Sequence, residues 1–193
     1  MSTRDRVVAF AVLALALRAG VVLAEGPQLG RPVDAQTLRR LDLTILPDGN
    51  DLPPGRGSVA EGRAVFAAKC AACHGVDGKD GLMDTLTGGV GSLTSPKPVK
   101  TVNSYWPYAT TVFDYIRRAM PLTAPRSLSA NEVYAVTAYL LSIDGVVKPD
   151  ATLDAKSLPR VRMPNRDGFL LWWPAPPPSL SPSSASASAS ALP

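Results

Sequence analysis

The chain has 193 residues, of which 46% are hydrophobic, and a formal net charge of +4 at neutral pH. Its length suits one domain of ordinary size with extensions, because single hydrophobic cores commonly span about 100 to 150 residues. The basic residues form short pairs, such as Arg39-Arg40 and Arg117-Arg118, rather than a long block. A protein that follows a phosphate backbone needs a basic stripe or cluster, so no nucleic-acid partner is expected.

The pattern of charged, apolar and small side chains in residues 1–24 predicts a secretory signal peptide. A short charged start is followed by the apolar run 7–17 and by a small residue at Ala24, where we expect cleavage. Arg18 interrupts the run, and a membrane-spanning helix needs about 20 apolar residues. We therefore predict export to the periplasm and no membrane span after cleavage. In that oxidising compartment two neighbouring cysteines are expected to be paired or otherwise consumed.

Residues 25–57 are predicted to form an N-terminal arm that ends in a Pro/Gly-rich stretch, and residues 58–147 a folded domain. The first helix of this domain opens with a capping box, Ser58-Val-Ala-Glu61. Four residues at helical spacing then form one face that is expected to turn toward the core: Gly62, Phe66, Cys70 and Cys73. This face includes both cysteines of the chain.

The stretch KCAACHG, residues 69–75, contains both cysteines and the only histidine. Cysteines at i and i+3, with histidine at i+4, are the attachment signature of c-type haem. Cys70 and Cys73 are the predicted thioether tethers, and His74 is the predicted proximal iron ligand. A thioredoxin-type disulfide would need a preceding strand, and a structural zinc site normally needs four ligands where this chain has three such side chains.

About thirty residues rich in Gly, Pro, Ser and Thr follow the motif. A loop of that length is unusual in a compact domain unless something else fills the core, and a large apolar cofactor would do so. A second helix is predicted from about Pro107 to Ala119. A third is predicted to open with the capping box Ser129-Ala-Asn-Glu132 and to end at Gly145.

The sixth iron ligand has to be a methionine, or the position stays open, because the single histidine is already used. We favour Met120, which follows the second helix and precedes Pro121, with Met163 as the second choice and Met83 as too close to His74 in sequence. As an alternative, Met120 only extends the apolar stripe of its helix. Trp106 is a candidate donor of its indole N–H to a haem propionate, or else an aromatic core residue.

Residues 148–173 are predicted to be a C-terminal extension, which packs either on the domain or on a partner. Residues 174–193 are rich in Pro, Ser and Ala and have almost nothing to bury, so they are predicted to be a disordered tail. Basic residues near the haem segments are candidates for steering an acidic partner, or else an ordinary solvated surface: Lys69, Lys79, Lys97, Lys100, Arg117 and Arg118.

From Ser58 to about Val147 the chain resembles a class I cytochrome c, on the basis of Gly62, Phe66, the haem motif, Met120-Pro121 and Tyr139. This resemblance implies an all-α fold of three main helices around one covalent haem c, with the glycine and the two aromatic residues at a helix crossing. Class I members often place a proline carbonyl on the proximal histidine. Here no proline follows the motif in Gly81-Leu82-Met83, so this role stays unassigned.

Residues 97–121 and 161–169 resemble the cytochrome subunit of periplasmic sulfite or sulfur dehydrogenases. The resemblance implies a molybdenum-containing sulfite-oxidising partner, and an electron-transfer role rather than catalysis by this chain. Electrons would pass on to the respiratory chain. The alternatives are a general periplasmic shuttle for another dehydrogenase, a haem gas sensor with an open iron site, and a metal-binding module without haem.

Overall fold

A computed structural model describes residues 30–170, except for the side chains of residues 39 and 40. The predicted signal peptide and the tail at 174–193 lie outside the described residues. The chain divides into two compact units, of which the first ends at Leu41 and the second begins at Asp42. No helix in residues 30–170 is long and apolar enough to cross a membrane.

The first unit contains one described helix, α1 (Ala35–Leu41). Asp34 caps its start, since the Asp34 carboxylate accepts hydrogen bonds from the Thr37 N–H at 2.8 Å and from the Thr37 hydroxyl at 2.7 Å. These bonds lower the pKa of Asp34 from its ordinary value. On this helix Leu38 and Leu41 are both exposed.

The second unit is mainly helical, and its helices are α2 (Val59–Lys69), α3 (Ala71–His74), α4 (Val102–Tyr105), α5 (Ala109–Ala119) and α6 (Ala130–Ile143). Both predicted capping boxes are confirmed: Ser58 with Glu61 opens α2, and Ser129 with Glu132 opens α6. Gly145, with φ of +74°, follows the end of α6. The all-α prediction is correct for the main elements.

Helices α2 and α6 cross closely at Gly62. A Cβ atom at this position would lie 1.9 Å from the carbonyl oxygen of Ala135, so only glycine allows this approach. Phe66 and Tyr139 pack beside the crossing with ring centroids 5.3 Å apart, and both are almost fully buried. The helix crossing that the resemblance implied is therefore present.

The start of α5 differs from the prediction. Helix α5 begins at Ala109, so Pro107 lies outside it. Trp106 and Tyr108, on either side of Pro107, both have extended backbones. The residue before a proline avoids the helical region, which accounts for Trp106. Tyr108 is the N-cap of α5, and the Arg166 guanidinium lies 4.0 Å from the centre of its ring.

Residues on both sides of the predicted domain pack against it. Strand β1 (Arg56–Ser58) pairs with strand β2 (Thr152–Asp154) in an antiparallel ladder that the sequence did not indicate. Ile45 is buried in the core, and its N–H donates to Asp114 at 3.0 Å. Leu158 is completely buried. Residues 42–57 and 148–163 thus contribute side chains to the same core.

Candidate functional site

The cysteine and histidine motif lies where the first long helix changes direction. Helix α2 ends at Lys69, Cys70 leaves the helical backbone region with φ of −126°, and the short helix α3 carries Cys73 and His74. The N–H groups of Cys73 and His74 both donate to the Cys70 carbonyl, at 3.1 and 3.0 Å. The sequence predicted one continuous helical face, whereas the structure replaces it with two helices joined at Cys70.

Both thiols are free, and their surroundings differ. Cys70 is half-buried against the core, whereas Cys73 is exposed. Burial raises the pKa of Cys70 to about 11, although the charge of Lys69 opposes this change. A raised pKa is the opposite of what an activated nucleophile or a thioredoxin-type cysteine requires.

The imidazole of His74 has a defined orientation. Its Nδ1 lies 3.1 Å from the backbone carbonyl oxygen of Asp84. A carbonyl can only accept, so Nδ1 carries the proton and the lone pair of Nε2 is left for a metal ion. The Asp84 carbonyl therefore makes the contact with the histidine for which no proline is present. This contact could not be predicted from the sequence, because every residue has a carbonyl and only the loop geometry selects one.

The turn between His74 and Asp84 depends on tight backbone contacts. Gly75 has a φ of +77°, and a Cβ at this position would lie 1.7 Å from the Lys79 carbonyl oxygen. Gly81 packs in the same way against the backbone of Cys73. The N–H of Met83 donates to the Cys73 carbonyl at 2.9 Å. These contacts return the chain to the motif and set the position of the Asp84 carbonyl.

The rest of the predicted loop is held by turns and hydrogen bonds rather than by a core of its own. Leu86 bonds to the Gly78 carbonyl at 2.8 Å, and Val102 bonds to the Leu86 carbonyl at 3.0 Å. Leu86 packs against the core, whereas five other apolar side chains of this region are at least 45% exposed in the polypeptide: Val76, Leu82, Met83, Val90 and Val99. The fold places apolar surface around the motif without covering it with protein atoms.

The three candidate methionines lie in different surroundings. Met120 follows the last residue of α5 and is half-buried against the core. Met163 is only 1% exposed, so protein atoms enclose it. Met83 is hydrogen-bonded to the backbone of Cys73 and lies next to Asp84, the residue that binds His74. The Met83 backbone is therefore tied to the turn that carries His74.

Trp106 lies in the extended segment between α4 and α5. It is half-buried against the core and makes an edge-to-face contact with Tyr115, with ring centroids 5.7 Å apart. Tyr115 is 46% exposed. The Trp106 contact with Tyr115 was not foreseen, since α5 residues were assigned only by their apolar stripe.

The basic residues do not form one uniform surface. Lys69 makes an ion pair with Glu132 at 2.5 Å, and Arg118 makes one with Asp114. Lys100 lies 5.0 Å from the centre of the Tyr105 ring. Lys79 and Lys97 are exposed. The steering hypothesis is consequently weaker for Lys69 and Arg118, whose charges are balanced within the chain.

The described residues fit a haem attached by thioethers, because they provide two free thiols and an imidazole whose Nε2 is available. The cytochrome c family model matches residues 59–144. The chain is also similar to a chain in the crystal structure of the sulfane dehydrogenase SoxCD from Paracoccus pantotrophus. The two are 45% identical with a TM-score of 0.70, over 75% of this chain and 72% of that one. Among curated proteins no match is found.

The chain belongs to the cytochrome c family. This membership confirms the fold, the electron-transfer role and one covalent haem c as the cofactor. The membership rules out the alternative of a metal-binding module without haem. The chain is therefore an electron-transfer protein or a subunit of an oxidoreductase complex, and it is similar to a component of a sulfur-oxidising dehydrogenase.

Proposed function

We propose that this cytochrome is the electron-accepting subunit of a periplasmic dehydrogenase that oxidises reduced sulfur compounds. The 45% identity to a chain of the sulfane dehydrogenase SoxCD carries the proposal, because it extends over 75% of the chain and not only over the cytochrome domain. The partner is a molybdenum subunit that oxidises sulfite or sulfane sulfur. The electrons then pass to an acceptor in the respiratory chain. Cleavage after Ala24 delivers the protein to the periplasm.

Cys70, Cys73 and His74 hold the haem. The two thiols would form the thioether bonds, and His74 would provide Nε2 to the iron while the Asp84 carbonyl accepts a hydrogen bond from Nδ1–H. A hydrogen bond from Nδ1–H to a carbonyl fixes the ring and raises the basicity of Nε2. The bound haem c supplies an iron that changes by one electron between its ferrous and ferric forms.

Met120 would provide the second protein ligand to the iron. A thioether that protein atoms fully enclose, as at Met163, has no surface left for a metal ion, whereas Met120 keeps part of its surface accessible. A neutral, soft sulfur ligand favours ferrous iron and so raises the midpoint potential relative to a second imidazole. The iron would then be suited to accepting electrons, and both axial positions would be occupied.

Trp106 donates its indole N–H to a haem propionate. Among the described residues no hydrogen bond is made by the Trp106 indole N–H, and protein atoms do not enclose this N–H, so it is accessible to a bound group. A donor on a propionate offsets part of its negative charge and makes the ferrous state easier to reach. Trp106 would in this way support the effect of Met120 on the potential.

The ligand assignment is tested by comparing Met120→Ala with Met163→Ala in the haem-loaded protein. Met120→Ala should remove the red-region iron-to-sulfur charge-transfer band, lower the midpoint potential and allow the reduced protein to bind carbon monoxide. Met163→Ala should cost about 2–5 kcal/mol of stability and keep the band. The reverse result would assign the ligand to Met163. Carbon monoxide binding by the unmodified protein would favour a gas sensor.

The partner assignment is tested by purifying the cytochrome together with the product of the adjacent gene and adding sulfite or a sulfane-sulfur compound. Stoichiometric reduction of the haem, measured at its visible absorption bands, is the expected result. Reduction by an unrelated dehydrogenase, with none from the sulfur substrates, would indicate a general periplasmic shuttle. The choice between sulfite and sulfane sulfur follows from which compound reduces the haem.

A further inference from the structure

The C-terminal strap, defined as residues 161–169, lies against the segment that carries Trp106. Asn165 donates from its Nδ2 to the Tyr105 carbonyl at 2.7 Å. Phe169 meets the Tyr105 ring edge to face, with centroids 5.2 Å apart and an interplanar angle of 63°. Arg166 lies over the Tyr108 ring. The strap therefore contacts both ends of the four-residue segment in which Trp106 stands.

The hydrogen bond from Asn165 satisfies a group that the helix itself leaves free. Tyr105 is the last residue of α4, which has only four residues, and the carbonyls of the last helical turn lack partners within the helix. The following residues are extended, and Tyr108 makes no side-chain capping bond to α5. Trp106 itself packs on Tyr115 and the core, and the strap supplies further contacts to Tyr105 and Tyr108 on either side of it.

The strap is itself anchored. Met163 is 1% exposed in the core, and its carbonyl accepts from the N–H of Arg166 at 3.1 Å. Gly168 bonds to the Asn165 carbonyl at 3.2 Å, and a Cβ at Gly168 would lie 1.8 Å from the Oδ1 of Asn165. Asn165 is consequently fixed between a buried methionine on one side and a glycine that leaves room for its amide on the other.

We infer that the strap positions Trp106 for its contact with the haem and so helps to set the midpoint potential. Asn165 is the main positioning residue. Arg166, through Tyr108, and Phe169, through Tyr105, add further contacts. The inference rests on the proposed role of Trp106. It gives the C-terminal extension a redox function within the chain, in addition to any contact it makes with a partner.

The test uses the full-length, haem-loaded protein and the variants Trp106→Phe, Asn165→Ala and Gly168→Ala. Trp106→Phe should lower the midpoint potential, because a propionate without a donor stabilises ferric iron. Asn165→Ala and Gly168→Ala should shift it in the same direction by less. Amide hydrogen exchange at residues 105–108 should become about tenfold faster in both, as expected for the loss of one hydrogen bond. Arg162→Ala is the matched control.

Arg162 belongs to the strap, but it is exposed and pairs with the equally exposed Asp167, so its removal should change neither the potential nor the exchange rate. Unchanged potentials in Asn165→Ala and Gly168→Ala would overturn the inference, even if the exchange rates rise. An unchanged potential in Trp106→Phe would overturn it as well. The proposed electron-transfer function fails separately, if the unmodified protein contains no covalent haem.

Discussion

The crossing of α2 with α6 and the loop at residues 75–101 surround the same motif, but they are built in different ways. At the crossing, Gly62, Phe66 and Tyr139 are buried against protein atoms, and no other group is needed to complete the packing. In the loop, positive-φ glycines and backbone hydrogen bonds fix the path, while apolar side chains stay exposed. The crossing supplies stability, and the loop supplies the shape of the site.

This difference has a consequence for substitutions. Changes at the crossing should act on the free energy of unfolding, whatever group is bound at the motif. Changes in the loop should act mainly on the haem environment, because little buried apolar surface depends on it. The hydrogen bond from Tyr139 to Asp77, at 3.0 Å, connects the two regions.

The largest effect is expected for Gly62→Ala. Alanine is the better helix former by about 1 kcal/mol, but its Cβ would overlap the Ala135 carbonyl and force the two helices apart, at a cost of about 3 kcal/mol or more. Denaturant unfolding of the haem-loaded protein measures the change. Ala64→Val, on the exposed side of the same helix, should change the stability by less than about 1 kcal/mol. Equal stabilities of the two variants would contradict the close crossing.

Gly75→Ala should have the next largest effect. The added Cβ would overlap the Lys79 carbonyl at a position with positive φ, so we expect a loss of about 1–3 kcal/mol and an altered haem spectrum, because the turn orients His74. Gly91→Ala is the control, since Gly91 also has positive φ but no atom lies within 4 Å of its Cβ position. If both variants keep the normal spectrum, the turn at Gly75 does not set the position of His74.

Tyr139→Phe should cost about 1 kcal/mol, because it removes the hydroxyl bond to Asp77 and keeps the ring against Phe66. Amide exchange at residues 77 and 78 should become faster. Tyr134→Phe removes a comparable bond, from its hydroxyl to the Pro53 carbonyl at 2.9 Å, and should leave exchange in the loop unchanged. Faster loop exchange in Tyr134→Phe would show that the two regions are not coupled through Tyr139.

The smallest effect is expected for Glu132→Gln. Hydrogen bonds from Lys69 and Ser129 lower the pKa of Glu132, so its stabilising contribution is present above the unfolded pKa of about 4.5 and is lost as the pH falls through the folded value. The pair is partly exposed, so at pH 7 the variant should lose less than about 1 kcal/mol. Unfolding measured at pH 7 and pH 3 should show a larger difference at pH 7, because Glu132 is less ionised at pH 3. A difference of equal size at both values would rule out the carboxylate as its cause.

The sequence predicted the parts of the fold that repeat at helical spacing or carry capping boxes. Ser58, Glu61, Ser129 and Glu132 bond within three residues, so local sequence contains all that their contacts require. The β1–β2 pairing could not be predicted in this way, because strands of three residues show no alternation and pair across about a hundred positions. The contact of Arg166 with Tyr108, next to the start of α5, also joins residues far apart in sequence.

The site was predictable to the extent that it is contiguous. Cys70, Cys73 and His74 occupy neighbouring turns and were recognisable from spacing alone. The Asp84 carbonyl and the Asn165 amide were not, because each acts through a contact that only the folded chain brings together. Backbone acceptors in particular have no sequence signature. Met120 and Trp106 remain predictions, supported by their partly buried positions.

Mass spectrometry of the mature protein, produced with the haem-attachment machinery and digested, tests the central claim most directly. We predict that the peptide containing residues 70–74 carries the mass of one haem. This haem should be bound through both cysteines and retained after acid-acetone extraction. An unmodified peptide, with Cys70 and Cys73 joined in a disulfide, would contradict it.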